Sequence, residues 1–322
     1  GNYVTVDRIQ HWSYPSGDCT FTSTQSTGHQ AETGHDTAIK LDVTAADTSI
    51  GAADYYEILQ RIESKDVQHL RWGTSAAKKL QVSFWVRATK TGVNALFCSK
   101  QGSGQGYRNV VEYTINASDT WEHKTVEIPA LTAAAAAYND NTSYIQIGWP
   151  LAMGSNFHGG TPGTWTTNSF YSTPNSVNHM DSTSNDFYIT GFQAEVGDFP
   201  TDFEHRSFAE EFALCERYFF TTYNYGATIG AASSASYLGR FLDNQHSYGS
   251  LQVPTVAMRS SPTRVIYNPV NGTIGQVRSD SNNHSANITA TDVKGGGWIY
   301  ANASVIGTSV SMKAHLTMDA EL

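Results

Sequence analysis

Apolar and polar residues alternate along many short segments of the chain, and this period of two is its strongest structural signal. In KLQVSFWVRA at 79–88, Leu80, Val82, Phe84, Val86 and Ala88 alternate with Gln81, Ser83, Trp85 and Arg87. Successive strand side chains point to opposite faces, so the pattern predicts a strand with one buried face. The same alternation recurs at 56–63, 110–115, 121–128, 143–149 and 186–196, and later at 236–242, 263–269, 273–279 and 297–303. In the last segment Val310, Met312, Ala314, Leu316 and Met318 oppose Ser311, Lys313, His315, Thr317 and Asp319, so the chain is expected to end in a packed strand at its natural C-terminus. Turn-rich segments such as KQGSGQGY at 100–107 and AYNDNTSY at 137–144 separate these runs. Short strands at this spacing predict an antiparallel sandwich or jelly roll, and no solenoid repeat points to a parallel β-helix.

One stretch breaks the pattern. FEHRSFAEEFALCERYF at 203–219 places Phe208, Phe212, Cys215 and Phe219 at i, i+4, i+7 and i+11, the period of a helix. Ser207 followed by Glu210 fits a capping box, which sets the helix start. A helix this short is marginal alone, so its apolar stripe is expected to be buried against strands or against another copy of the chain. Phe212→Ala would then cost roughly 3–5 kcal/mol, more than the ~1 kcal/mol of the Ser207 cap. The predicted architecture is all-β: a jelly-roll sandwich over 1–202, a connecting helix over 203–222, and a smaller β-sandwich over 223–322.

Residues 150–186 show no periodicity but carry Phe157, Trp165, Phe170 and Tyr171 among Ser, Thr, Asn and Gly. An aperiodic excursion of this length is either functional or disordered, and here it is expected on the sandwich rim.

Composition narrows the function classes. With 322 residues the chain is long enough for about two domains, at ~100–200 residues each. A formal charge of −9 without any basic block argues against a nucleic-acid partner, and no apolar run approaches the roughly 20 residues needed to insert into a membrane. The start at Gly1, without Met or a signal peptide, is expected to lie inside a longer chain or to follow a removed tag. Cys19, Cys98 and Cys215 are far apart with no C-x-x-C, so three free thiols are expected, with Cys215 a small packed group.

Catalytic signatures are missing from the sequence: there is no G-x-S-x-G, H-E-x-x-H or P-loop, and carboxylate pairs such as those in EVGD, AEEF and DAEL suit turns and helix ends. The expectation is no enzymatic activity and no cofactor. His29 and His35, six apart in GHQAETGH, suit no common zinc spacing and read as solvated loop histidines. A structural calcium ion is an open possibility, with Asp18, Asp42, Asp47 and Asp186 as candidates, but no spacing singles one out and ordinary turn carboxylates are the preferred reading.

A longer run carries a resemblance. Ile189 to Phe219 contains Thr190, Gly191, Gln193, Glu195 and Gly197, then Thr201, Phe203, Glu204 and Arg206, then Cys215, Arg217 and Tyr218. This order resembles a motif of tail-fibre and other receptor-binding structural proteins of bacteriophages and prophages. Similar segments are DRIQHWS near the start, QRIES at 60–64, GTSAAKKLQVSFWVRATKTG at 73–92, PTVAMRSSPT and the terminal DAEL. Departures are Ala194, where Leu is common, and Asp202, where Pro is common. The resemblance implies a virion protein of the tail or a tail appendage, commonly a homotrimer, with a jelly roll similar to carbohydrate-binding modules and with other phage tail proteins and a host surface glycan as partners. The motif is structural and hands over no active site.

Aromatic faces match the C–H faces of sugars, and amides meet their hydroxyls. The candidate carbohydrate-binding residues are therefore Trp165, Tyr171, Phe157 and His158 of the rim loop, with Tyr107 in a second Gly-rich turn. The alternative is that these rings anchor the loop to its own sheet. Trp85 and Trp121 are assigned to a sheet face or core. Two other functions stay open: a polysaccharide-degrading tailspike and a purely architectural fibre or adaptor.

Overall fold

The computed structural model describes residues 2–3, 9–14, 19–101, 106–133, 140–224, 226–233, 238–241, 248–252, 258–279, 282–289, 298–302 and 311–321. Asp18 and Val310 lie outside these, as do parts of DRIQHWS and PTVAMRSSPT. The chain is all-β, with antiparallel sheets in two compact units, Gly1–His205 and Arg206–Glu321.

The first unit is a sandwich. Its strands are β1 (Asn2–Tyr3), β2 (Ile9–Tyr14), β3 (Thr20–Thr27), β4 (Thr37–Ala45), β5 (Tyr55–Glu63), β6 (Leu80–Ala88), β7 (Gly92–Lys100), β8 (Tyr107–Ile115), β9 (Glu122–Ile128), β10 (Ser143–Met153) and β11 (Asp186–Val196). One sheet has the order β1-β2-β5-β10-β7-β8 and the other β3-β4-β11-β6-β9. Both contribute to a single core: Tyr56, Ile58, Leu96, Val111, Ile147 and Trp149 from the first meet Leu41, Val82, Phe84, Val86, Phe187 and Ile189 from the second. Burial of these large side chains stabilises the unit by roughly 1.5–3 kcal/mol each, before conformational entropy is charged against it.

In this unit strands β1, β2, β3, β4 and β7 go beyond those the alternation predicts. In β7, Ala95, Leu96, Phe97 and Cys98 are all fully buried, so apolar residues face both sides and no alternation arises. In β3, TFTSTQST has almost no apolar residue to mark a period. GHQAETGH, expected as a loop, contains a one-turn helix, α1 (Gln30–Thr33). Its histidines are not solvated. His29 is buried, hydrogen-bonded to Ser26 at 2.8 Å and edge-on to Trp121 at 5.2 Å, while His35 is half-buried against Phe203 and His205. Trp121 packs with Ala38, Tyr188 and Trp85 on the outer face of that sheet.

The motif run on β11 acts as a side-chain staple. The Gln193 amide donates to Glu195 Oε1 at 3.0 Å and accepts the Glu204 N–H at 2.8 Å. Glu195 accepts the N–H and the hydroxyl of Thr201 at 2.7 and 2.8 Å. The chain after β11 is thereby folded back along the strand it has just left. At Gly191, with φ +58°, a Cβ would meet the His35 ring at 2.6 Å, so glycine is required there.

The second unit holds α2 (Phe208–Glu216) and strands β12 (Phe219–Thr221), β13 (Leu238–Phe241), β14 (Tyr248–Gln252), β15 (Thr263–Tyr267), β16 (Gln276–Ser279), β17 (Asn282–Thr289), β18 (Trp298–Asn302) and β19 (Ser311–Asp319). The last strand is the hub, paired with β12, β13, β15 and β16 along its length. His315 and Thr317, on the polar side of the alternation, are buried like Leu316 and Met318, with the Tyr223 ring stacked on His315 at 3.9 Å. His315 meets the Thr222 hydroxyl at 3.1 Å and the Ser233 carbonyl at 2.9 Å. Three segments of the resemblance meet nearby. The Arg259 N–H donates to the Arg217 carbonyl at 2.8 Å, the Arg259 guanidinium donates to the Ala320 and Glu321 carbonyls at 2.7 and 3.0 Å, and the Ala320 N–H donates to the Tyr218 carbonyl at 2.8 Å.

The helix starts where its sequence predicts, with the reciprocal Ser207–Glu210 capping box in place. Within the single chain, the expected burial of its stripe against neighbouring strands is corrected. None of its residues is buried, with Phe208 71% and Phe212 45% exposed, and Cys215 only partly covered. Local bonds and the Arg217–Tyr218 anchor hold the helix in place of a covered stripe. In urea denaturation of the full chain, Ser207→Ala should therefore cost about 1 kcal/mol and Phe212→Ala no more than about 0.5 kcal/mol. A loss of several kcal/mol at Phe212 would mean that the stripe is covered in the assembled protein.

Candidate functional site

The outer face of the six-stranded sheet carries a cleft in which apolar and polar side chains meet. Because β5 sends Tyr56 and Ile58 into the core, Tyr55, Glu57, Leu59 and Arg61 project from the opposite side. Register carries this across the sheet in rows. Trp12 pairs with Glu57 and Pro150; Gln10 with Leu59, Gly148, Phe97 and Val110; Arg61 with Gln146, Ser99 and Arg108. Leu59, Ala95, Phe97 and Val110 form an apolar floor on which Trp12 and Tyr171 rest. Gly148 has a steric reason, since a Cβ there would collide with the Phe97 ring. Pro150, which has no N–H to give to the ladder, sits at a β-bulge between Pro150 and Ala152.

Walls and floor enclose a cleft of about 310 Å³ lined by Trp12, Tyr55, Glu57, Arg61, Arg108 and Tyr171, together with Leu59, Gln101, Gln146, Met153 and Phe157. That volume is at the small end of ligand sites, of ~300–1,000 Å³. One wall is supplied by the long segment between β10 and β11. The Tyr171 N–H donates to the Phe157 carbonyl at 2.7 Å, and Thr166 exchanges backbone hydrogen bonds with Arg108 at 2.7 and 2.8 Å. Tyr171 stands edge-on to Phe97 at 5.0 Å, and its hydroxyl accepts Arg108 Nε–H at 3.0 Å. Phe157 is edge-on to Tyr55 at 5.5 Å. On the opposite side, the Arg61 guanidinium lies 5.4 Å from the Trp12 ring.

Polar atoms in the cleft are incompletely satisfied. Glu57 is only 7% exposed, and its Oε2, like Arg61 Nε, has no hydrogen-bond partner among the described residues. Burial pushes the Glu57 carboxyl up to about 8, against a smaller downward pull from Arg108. The Tyr55 hydroxyl is raised as well, by burial first and then by Glu57, Tyr14 and Tyr171.

Of the five residues the sequence nominates, the structure brings Phe157 and Tyr171 together in this cleft. The other three lie elsewhere for reasons of packing. Trp165 packs against the main core, edge-on to Trp72 at 5.2 Å, and its indole N–H donates to the Pro129 carbonyl at 2.9 Å. Tyr107 also packs on the core, its hydroxyl donating to Ala133 at 2.8 Å. His158 bridges to Ser172 and lines a separate hollow of about 60 Å³ beside Pro174 and Val177. The residues missed are those of the strands: Trp12, Tyr55, Glu57, Arg61, Arg108 and Gln146. Their signal was the outward half of the alternation, where β5 reads Tyr, Glu, Leu, Arg at every second position.

A second hollow of about 340 Å³ lies on the other sheet, lined by Trp85, Phe203, His35, His123 and His205. Among the described residues no cluster of three or more His, Cys, Asp or Glu could hold a metal ion. Of the calcium candidates, Asp42 pairs with Lys40 at 2.6 Å, Asp47 accepts the Ser49 N–H at 2.9 Å, and Asp186 accepts the Thr89 and Tyr188 hydroxyls at 2.5 and 3.1 Å. No helix among the described residues is long and apolar enough to cross a membrane.

No family model matches the chain, and no curated protein does. Among solved structures, the enzymatically active domain of tailspike protein 4 of bacteriophage CBA120 is similar at 9% identity and TM-score 0.32, covering 59% of this chain and 19% of that one. The family 11 carbohydrate-binding module of the cellulase Lic26A-Cel5E of Clostridium thermocellum is similar at 12% identity and TM-score 0.32, covering 61% and 91%. The CBM22-1 xylan-binding domain of Xyn10C from Paenibacillus barcinonensis is similar at 8% identity and TM-score 0.28, covering 58% and 85%. Superpositions this loose carry no argument about a ligand.

The buried carboxyl gives a testable pH dependence. A folded-state pKa above the ordinary 4.5 means that the folded protein binds the proton more tightly. That contribution to stability is complete below the ordinary carboxylate range and is lost as pH rises through about 8. Glu57→Gln cannot ionise, so thermal unfolding should show the parent losing stability relative to the variant across that window. Parallel curves would mean that the carboxyl is solvated.

Proposed function

We propose that this chain is a non-enzymatic glycan-binding protein of a phage tail or tail fibre, which uses the cleft on the six-stranded sheet to hold a surface glycan of the host. The observation that carries the binding role is the cleft itself. Trp12, Tyr55, Phe157 and Tyr171 offer ring faces, while Gln101, Gln146, Arg61, Arg108 and Glu57 offer polar groups over an apolar floor. Aromatic faces with convergent amides and charges suit a sugar, which is apolar on its faces and polar at its rim. Glycoside hydrolysis uses two carboxylates about 5–10 Å apart, and Glu57 is the one carboxylate among the lining residues, which supports binding without a chemical step. The tail location, the other phage tail proteins as partners and a homotrimeric state rest on the resemblance of Ile189–Phe219 and the segments that accompany it. In such a trimer, weak single sites would add through multivalency.

The test is titration of an oligosaccharide panel by calorimetry, followed by substitution of the best ligand's contacts. Trp12→Ala should weaken binding about tenfold or more, since stacking on an aromatic ring contributes on the order of 1.5 kcal/mol, measured well below an unfolding midpoint that loss of its packing on the apolar floor will lower. Trp165→Ala should instead lower stability by about 3 kcal/mol without removing a ligand contact. Unchanged affinity in Trp12→Ala would sink the assignment of the site, and shortened chains after incubation with polysaccharide would sink the non-enzymatic reading.

A further inference from the structure

We propose that the glycan taken by the cleft is anionic, its acid groups engaged by the guanidinium groups of Arg61 and Arg108. This rests on the reading of the cleft as a glycan site. The charges that line it are Arg61, Arg108 and Glu57, so the cleft is cationic within a chain whose formal charge is −9. Neither arginine forms an ion pair among the described residues, although the same unit pairs Lys40, Lys79, Arg87, Lys90 and Lys124 with carboxylates. Glu57 does not neutralise them, because burial keeps it protonated to about 8.

The two guanidiniums are held in different ways. Arg61 is fixed by the Trp12 ring at 5.4 Å and keeps a buried Nε without a hydrogen-bond partner among the described residues. Arg108 is oriented by the Tyr171 hydroxyl at 3.0 Å and the Tyr107 carbonyl at 3.3 Å. A buried donor left without a partner is costly, and a carboxylate or sulfate oxygen would satisfy it. The arginines end one register row, Arg61–Gln146–Ser99–Arg108. Three inter-strand steps of ~4.8 Å put their backbones roughly 14 Å apart, room for a chain of several sugar rings with acid groups toward both ends. Between them Gln146 and Gln101 supply amides for the neutral hydroxyls. The overall negative charge opposes indiscriminate adhesion of polyanions, so any preference for an acidic chain must arise locally.

The experiment compares matched pairs by calorimetry on the full chain at low and at physiological salt. The probes are oligoglucuronate, oligogalacturonate and oligomannuronate, each against its carboxyl-reduced neutral counterpart of equal length, with dextran sulfate against dextran as a further pair. At least one anionic member should bind about tenfold or more tightly than its neutral partner, the scale of one charge-assisted hydrogen bond. Arg61→Gln should collapse that ratio toward one by lowering the anionic member's affinity at least tenfold more than the neutral member's. Arg108→Gln serves as the second variant, and a preference for either the carboxylated or the sulfated member upholds the proposal while telling the two apart. Equal binding of anionic and neutral members would overturn the anionic preference and leave the glycan site standing. No binding by any member of any pair would overturn both.

Discussion

The period of two along β5 is the constraint from which the rest of the first unit follows. Tyr56 and Ile58 must reach the shared core, and that requirement alone turns Tyr55, Glu57, Leu59 and Arg61 to the other side. A slip of one residue would put Glu57 and Arg61 into the core and Tyr56 into solvent. The penalty for burying an unpaired charge there is several kcal/mol, far above any gain a new contact could return. Core packing thus fixes the register of β5 against β2 and β10, and the register then decides which side chains stand together in the cleft. The core and the cleft are two faces of one sheet and cannot vary independently.

The long segment after β10 shows how aromatic residues divide between anchoring and display. Trp165 is pinned by Trp72 and the Pro129 carbonyl, and Thr166 adds two backbone bonds to the edge strand β8. Those anchors let Phe157 and Tyr171 stand as a wall. The residues of the resemblance divide in a similar way. Gln193, Glu195 and Thr201 staple the chain onto β11, while Arg217, Tyr218, Arg259 and Ala320 form a clamp in the second unit. The staple and the Arg259 guanidinium depend on side-chain groups that few other residue types reproduce, whereas the bonds at Arg217, Tyr218 and Ala320 run between backbones; together they give the motif a physical meaning independent of any ligand.

Much of the fold was legible because half-buried strands announce themselves. Alternation located β5, β6, β9, β11 and β19 to within a few residues, and Ser207 with Glu210 located the start of α2. Strands buried on both faces, such as β7, or nearly free of apolar residues, such as β3, carry no such mark. The failure on the stripe of α2 had another cause. Periodicity reports that a face is apolar but not that strands of the same chain cover it, and Phe208 and Phe212 stay exposed, with ring centroids 5.8 Å apart. For the cleft, attention to loops found Phe157 and Tyr171 but overlooked that a strand's outward residues count as fully as its inward ones. Glu57 and Arg61 are two strand positions apart on a face that needs no charge for folding, and that was the readable anomaly.

Trp12 and Arg61 connect these threads. Both fall within resemblance segments, DRIQHWS and QRIES, yet neither takes part in the staple or the clamp. Stacking against Trp12 holds the guanidinium without consuming its hydrogen-bond donors, unlike a carboxylate partner, which would both fix it and neutralise it. A guanidinium kept in place but unspent is a poor use of a residue for stability, since the same surface covered by an aliphatic chain would avoid the cost of its buried Nε. Stability alone therefore accounts neither for this pair nor for the buried Glu57 carboxyl, which shares a register row with Trp12.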